Sequence, residues 1–484
     1  MADTTALRNK ILQLAIEGKL VEQRAEEGDA RALLDEIKAE KAQLIAEKKI
    51  KKDKPLAPIE DSEMPFDIPD SWVWVRLGEI FQIINGDRGK NYPAKSTLHK
   101  EGFPFISAKN LQNNIVVKND DLLCLDEIQY NKLGNGKLVK GDMVVCIRGS
   151  LGKHGIFPFE KGAIASSLVI VREYVSTIGL KDYLGYYLDA PFFFEEIHRY
   201  DNGTAQPNLA AENFKNFLIP LPPLSEQTRI VTKLETMLTE IDGIEQGRKN
   251  IEALKDKLRN KALQLAIEGK LVEQRAEEGD ARALLDEIKA EKAQLIAEKK
   301  IKKDKPLAPI DDSEIPFDIP DSWVWVRLGE VCDKMISTKP TGEYFKYIDI
   351  DAIDNKICKI REPKKTLTKN APSRATRHTQ KGDVLFSMVR PYLKNIALVE
   401  EDGCIASTGF YVCRPFDGLS SLFLFELMTS EYVVNGLNKF MKGDNSPSIN
   451  NVDIENLPIP LPPLGEQKRI VEKLDEVMAE IDNL

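Results

Sequence analysis

The sequence predicts an α/β fold of the α+β kind. Two similar domains are separated by two long antiparallel coiled-coil helices, in a circularly permuted repeat with a pseudo-twofold axis. Three observations predict it. First, Ile230, Met237, Ile244, Ile251, Leu258 and Leu265 recur every seven residues, and Leu234, Ile241, Arg248, Lys255 and Ala262 fall four residues after the first five. A seam of that kind, mostly apolar with two basic interruptions, needs a helix lying along it. Second, residues 7–79 recur at 258–330 with only three differences, Ile11/Ala262, Glu60/Asp311 and Met64/Ile315. Third, the C-terminal PLPPLGEQKRIVEKLDEVMAEIDNL matches PLPPLSEQTRIVTKLETMLTEIDGI at a shift of 240 residues. Ile470, Leu474, Val477, Ile481 and Leu484 thereby repeat the seam of the central helix. Laid end to end, the C-terminal and N-terminal segments rebuild a second copy of that helix.

The elements follow in order. We divide the chain into an N-terminal helical half at 1–57, a first domain at 58–224, a central helical region at 225–308, a second domain at 309–463 and a closing helix at 464–484. Residues 1–20 form a half-helix, and 21–54 a second helical piece with Ala32, Leu33, Leu34 and Ile37 among dense charge. It ends in KKIKKDK, read as a solvated helix end where cations favour the dipole, with DNA backbone contact or partner docking as the alternative. The proline-punctuated LAPIEDSEMPFDIPDSW is a linker. WVWVRLGEIFQII alternates as a strand, and apolar runs recur at PFISAKNL, NIVV, DMVVCIRG and AIASSLVIVREY. LKDYLGYYLDAPFFFEEI is helix-like. The central helix begins after Pro222-Pro223 with Ser225 as N-cap and Glu226 in its first turn, and Gly269 stops it. Its length is roughly 65–70 Å at about 1.5 Å per residue. The second half replays this plan. The two domains match weakly inside but share landmarks: Gly141-Asp142 and Gly382-Asp383, Ile164-Ala165-Ser166 and Ile405-Ala406-Ser407, Pro207 and Pro447. Trp72, Trp74, Trp323 and Trp325, in shared sequence at a strand start, are read as core.

Charge is unevenly distributed. The chain carries a net −9, yet residues 72–224 hold 17 Lys and Arg against 16 Asp and Glu, and 323–463 hold 18 against 17. The acidity therefore sits in the helical parts, and the whole-chain balance says little about what the two domains bind. The six cysteines are scattered without a CxxC, and the four histidines are unclustered, which points to a reducing cytoplasmic setting and no metal site. No run approaches a membrane span, and MADTTALRNK does not read as a signal peptide.

Catalytic motifs are missing. Gly149-Ser150-Leu151-Gly152-Lys153 is too short for a phosphate-binding loop and lacks its Ser or Thr, and no GxGxxG opens a helix. There is no Asn/Asp-Pro-Pro-aromatic tetrapeptide of the amino-methylating enzymes. Asp354-Asn355-Lys356 has the spacing of some nuclease sites, but an exposed turn after YIDIDAI is the simpler reading. A reader or scaffold is expected, with no catalytic residues.

The loops supply candidates for reading. GDRGKNYPAKSTLHK, SAKNLQNN and CIRGSLGKHG combine Arg and Lys with Asn, Gln and Ser, side chains suited to phosphates and base edges. Residues 355–381 carry nine Lys and Arg against one acid, an electrostatic footprint for a polyanion. The candidates in the first domain are Arg88, Lys90, Lys109, Asn110, Arg148, Ser150, Lys153, His154 and Gln206. Those in the second are Lys356, Lys364, Lys365, Arg374, Arg377, Arg390, Lys394 and Asn395. Residues identical in both copies should serve the scaffold; those that differ should carry specificity.

Two domains, each opened by W-V-W-V-R-L-G-E and closed by P-L-P-P-L-x-E-Q-x-R-I-V before a long helix, resemble the specificity subunit of a type I restriction–modification enzyme, the HsdS family. The resemblance spans essentially the whole chain. It implies a non-catalytic subunit whose two target-recognition domains each read one half of an asymmetric bipartite site in double-stranded DNA. It implies helices that act as a ruler and dock two modification subunits, which methylate adenine N6 with S-adenosylmethionine. Two restriction subunits using ATP and Mg2+ can join them, so no cofactor is expected on this chain. Pro207 and Pro447 fall in the family's conserved region near each domain's exit. Read from the residues alone, the other function is a coiled-coil adaptor that binds proteins through its two domains.

Overall fold

A computed structural model describes residues 3–112, 114–119, 121–175, 179–200, 209–303 and 306–484. The chain divides into two compact units, Met1–Gly247 and Arg248–Leu484. The helix Leu224–Ile267, 44 residues long, crosses from one to the other. Each unit is described by itself.

In the first unit, the helix Thr4–Ile16 starts at Asp3, whose carboxylate accepts from the Thr5 and Ala6 amides. It runs against the direction of the long helix: Arg8 pairs with Asp242, while further along the chain Gln23 donates to Glu226 at 2.6 Å and Arg229 grips Glu27 at 2.5 and 2.7 Å. Ile11, Leu12, Ala15 and Ile16 share a core with Ile230, Leu234 and Ile241. The second unit repeats the arrangement with the other half of the long helix and the helix Leu464–Asp482. Arg259 pairs with Asp482, Gln274 donates to Glu466, and Arg469 grips Glu278. Ala262, Leu263, Ala266 and Ile267 share a core with Ile470, Val471 and Leu474.

The domain in each unit is clamped to this scaffold by its ends. The strand Val73–Arg76 pairs antiparallel with Leu218–Leu221, and Val324–Arg327 with Pro458–Leu461, so each domain opens and closes on one two-stranded ribbon. Trp72 and Trp323 are fully buried as expected, and their indole N–H groups donate at 2.9 Å to Glu226 and Glu466, the acids in the first turn after each ribbon. Burial, opposed by those same indole and Gln23 or Gln274 bonds, raises both carboxyls above their ordinary range. Arg76 donates to the carbonyls of Ala57, Pro58 and Asn216 and to Glu63, and Arg327 to those of Ala308, Pro309 and Asn456 and to Glu314. The proline linker is thus held by buried guanidinium groups rather than by regular structure.

Beyond the ribbon, the first domain has a four-stranded sheet in the order Leu123–Leu125, Phe103–Ile106, Lys161–Ile164, Lys137–Val139. A six-stranded sheet follows in the order Phe81–Asn85, Leu168–Glu173, Met143–Cys146, His154–Ile156, Ile115–Val116, Leu111–Gln112. The second domain has two four-stranded sheets. One runs Cys332–Asp333, Phe410–Pro415, Val384–Ser387, Ile396–Leu398; the other runs Lys364–Leu367, Tyr344–Ile348, Cys404–Ser407, Ala375–His378. A hairpin of Ile353–Asp354 and Lys359–Ile360 completes it. The Gly-Asp landmark is explained by packing. Asp142 accepts two bonds from Arg172 at 2.7 Å, and Asp383 accepts from Arg414 at 2.7 and 2.9 Å, each a buried carboxylate closing the sheet. Helices Leu180–Asp189 and Pro191–Tyr200 cover the first domain, the proline dividing them. Tyr183 and Tyr187 donate to the carbonyls of Pro220 and Leu218 in the ribbon.

Several local expectations change. The long helix begins at Leu224, so Ser225 lies in its first turn, and the carbonyl of Pro223 accepts from Gln227. Gly269 does end it, at φ +68°. The heptad holds against the N-terminal helix at Ile230, Leu234 and Ile241, but Ile244, Ile251 and Leu258 are exposed. In the second half the buried face is Ala262, Leu263, Ala266 and Ile267, because the second domain packs on it as well as the partner helix. WVWVRLGEIFQII is interrupted by one helical turn, Leu77–Ile80, where Glu79 accepts from the Arg76 amide. The second helix covers Ala30–Ala46, so KKIKKDK lies past its end rather than on it.

Candidate nucleic-acid interface

The same pair of hairpins appears in both domains, and it gathers many of the candidate cations. In the first, Met143–Cys146 and His154–Ile156 pair antiparallel and are joined by the loop 147–153. The loop is fixed to the sheet: Ile147 N–H donates to Ser167 O, and Leu209 N–H donates to Ile147 O. Gly149 and Gly152 turn it at φ +81° and +79°, and a Cβ on Gly152 would lie 2.9 Å from the Phe193 ring. Arg148, Ser150 and Lys153 stand on this loop. Lys153 Nζ donates to Ala108 O at 3.1 Å, which ties it to the turn Ala108–Asn110 that carries Lys109. That turn leads into the second hairpin, Leu111–Gln112 with Ile115–Val116, whose Ile115 pairs parallel with Ile156.

Arg88 approaches from the loop after Phe81–Asn85 and donates to Ser166 O at 3.3 Å. Asp87 shapes that loop by accepting from the Gly89 and Gly134 amides, which hold its carboxyl below the ordinary range. Burial, and then the neighbouring charge of Arg148, lower the Arg88 guanidinium from its ordinary value. Two guanidinium groups held near each other on an exposed edge are a site that an anion would stabilise. Lys90 is exposed two residues further on.

The second domain builds the equivalent loop at 388–395, between Val384–Ser387 and Ile396–Leu398. Its anchors correspond: Met388 N–H donates to Gly409 O, and Ile449 N–H donates to Met388 O. Ser387 N–H donates to Asn395 O, just as Cys146 N–H donates to Lys153 O. Where the first loop turns on glycines, this one turns on Arg390 and Lys394, non-glycine residues at φ +49° and +53°. Arg390 is steadied by its amide bond to Pro447 O and its guanidinium bond to Asn445 O, each 2.8 Å. The neighbouring hairpin presents Lys356 in its turn, and Asn355 Nδ2 donates to Leu393 O at 2.9 Å, joining the two tips. Lys356, Arg390 and Lys394 therefore come together.

Other candidates take different places. Lys364, on the edge strand Lys364–Leu367, and Arg374, just before the edge strand Ala375–His378, reach the turn Ile350–Ala352 and its lead-in, where they pair with Asp351 at 2.7 Å and Asp349 at 2.5 Å. Lys365 sits 4.7 Å over the Tyr344 ring. Arg377 is half-buried on the strand Ala375–His378, and burial lowers its guanidinium.

Three candidates are corrected. Asn110 is 1% exposed: its Oδ1 accepts from Ser107 N and Oγ, and its Nδ2 donates to Asn119, so it closes a turn. His154 is 3% exposed, with Nδ1 donating to Gly152 O at 2.9 Å and Nε2 3.9 Å from Asp189. Asn395 is buried at the end of the loop, just before the strand Ile396–Leu398. All three side chains are buried within the domain rather than displayed on its surface. Gln206 and the landmark Pro207 lie outside the described residues. Among the described residues there is no group of three or more His, Cys, Asp or Glu placed to hold a metal, and no helix is long and apolar enough to cross a membrane.

Two domains of one plan, each ending its sheet in a basic double hairpin, define a class of DNA-recognition component. The family described as the type I restriction modification DNA specificity domain matches residues 69–253 and again 320–484, and the chain belongs to that family. It is similar to the type I restriction enzyme EcoAI specificity subunit of Escherichia coli, 28% identical over an alignment covering 99% of this chain and 89% of the relative. It is also similar to the EcoEI specificity subunit of Escherichia coli, 27% identical with the same coverage. A chain solved in work on complex assembly and conformational transition of the type I R-M system has the same fold. It is 22% identical with a TM-score of 0.59, covering 87% of this chain and 93% of that one.

Proposed function

We propose that this chain reads an asymmetric, two-part site in double-stranded DNA, with the domain at 58–224 taking one half and the domain at 309–463 the other. The observation that carries this is the paired hairpin loop, 147–153 and 388–395. Each is anchored by the same backbone bonds, yet they carry different side chains: Arg148, Ser150 and Lys153 in one, Arg390 and Lys394 in the other. Identical anchors with unlike tips suit one mode of docking on two unlike sequences. The helices of 1–57, 225–308 and 464–484, nearly identical between 7–57 and 258–308 and keeping the same apolar seam at 224–244 and 464–484, offer equivalent surfaces to two modification subunits, and two restriction subunits complete the larger assembly. S-adenosylmethionine, ATP and Mg2+ belong to those partners. The chain itself supplies recognition and no catalytic group.

The test is salt-dependent binding of duplex DNA by the complex of this chain with its modification subunits. Replacing Lys356, Arg390 and Lys394 together by Gln removes up to three phosphate contacts. The slope of log K against log salt is then expected to fall by roughly 2–3, at about 0.9 per phosphate. An unchanged slope would remove the hairpin tips from the interface. A wild-type complex indifferent to DNA would point to an adaptor for proteins instead.

A further inference from the structure

The hairpin tips of the second domain carry something besides charge. Ile357 is 62% exposed, Tyr392 47% and Leu393 40%, three large apolar side chains on two adjoining turns. Their backbone is held: Pro391 is buried beneath the Pro391–Leu393 turn, Arg390 and Lys394 stand in the left-handed region on either side of it, and Asn355 Nδ2 bonds Leu393 O. Left-handed conformations at non-glycine residues cost energy and persist where the surroundings enforce them, frequently at binding sites. A rigid turn that pushes Tyr and Leu outward is an exposed apolar patch, which marks an interaction surface.

The rim says what the partner is. Lys356, Lys359, Arg390 and Lys394 stand around the patch, and the nearby carboxylate of Asp354 is already engaged by the Lys356 amide and by Arg361. Apolar groups ringed by cations fit a polyanion with an apolar interior surface. In a duplex groove, the exposed apolar group is the thymine methyl. Among the described residues the first domain is built differently there: its loop exposes Ser150 and half-buries Leu151, the neighbouring hairpin carries Gln112 and Asn114, and its exposed apolar side chains, Ile115 and Phe194, stand on a strand and a helix rather than on a rigid turn.

We propose that Ile357, Tyr392 and Leu393 form an apolar reading tip that packs against thymine methyl groups in the half-site of the second domain. This rests on the DNA-reading function proposed above and assigns specificity within it. The triple variant I357A/Y392A/L393A, in complex with the modification subunits, is compared with the wild type on duplexes carrying the motif mapped from methylation in cells. Replacing thymine by uracil in the second half-site is expected to weaken wild-type binding fivefold to a hundredfold at the contacted position, about the cost of one mismatched pair. It should leave the variant unaffected, with the salt slope and the stringency at the first half-site unchanged in both. The thermal midpoint of the variant checks that the exposed substitutions leave the fold intact. A variant as sensitive to uracil as the wild type, or a wild type insensitive to it at every position, would overturn the tip while leaving DNA reading in place. A wild-type complex without salt-dependent duplex binding would overturn both.

Discussion

Replacing Trp323 by Ala is expected to destabilise the second unit by about 3–5 kcal/mol, the usual cost of emptying a buried aromatic site. The side chain is fully buried, and its N–H supplies one of the bonds to Glu466. Truncation leaves a cavity and a buried carboxylate that keeps only Gln274. Because each unit has its own core, the loss should appear in urea denaturation as an earlier transition of the second unit, with that of the first unmoved. Trp72→Ala should produce the mirror result. A loss under about 1 kcal/mol in both would mean that the indole–glutamate clamp does not hold the domain to its scaffold.

The second large effect concerns spacing. Along the long helix, Asp242 pairs with the N-terminal helix, and Lys255 and Arg259 pair with the C-terminal helix. Gly243 and Gly247 lie between, and a Cβ at either would meet nothing within 4 Å. Four helical residues inserted after Gln246 keep Asp242 with the N-terminal helix and Lys255 and Arg259 with the C-terminal helix. They add about 6 Å, close to two base-pair steps of 3.4 Å. If the helix is the ruler, the spacer between the two halves of the recognised site grows by about two base pairs while both halves stay the same. A spacer preference that does not move would remove the helix from that role.

The repeats, the seam at Ile230, Leu234 and Ile241, and the burial of Trp72 and Trp323 were legible because they depend on local period and on identity between copies, whereas Trp74 and Trp325 are only half-buried. The hairpin tips were legible only as composition. Loops rich in Arg, Lys, Asn and Gly announced a polar surface, but which side chains face outward is set by strand pairing across the sheet. Asn110 and His154 look like readers in a string of polar residues and are structural in three dimensions, one closing a turn and the other packed against Asp189. Lys364 and Arg374 look free in a basic run, but their partners Asp351 and Asp349 precede that run on a neighbouring strand end. Tyr392 and Ile357 were missed for the opposite reason. An isolated apolar residue in a loop reads as core until the pairing shows it at the tip. The exposed Ile244, Ile251 and Leu258 show the limit of the heptad, which states what a helix could bury and not what covers it.

The measurement that bears most directly on this account is methylation mapping in cells that express the chain with its modification subunit, repeated with residues 72–224 exchanged for those of a relative. The account predicts N6-methyladenine in an asymmetric two-part motif that disappears with the chain, and an exchange that rewrites one half of the motif and leaves the other half and the spacer alone. A soluble complex that adds no motif, or an exchange that alters both halves together, would contradict it.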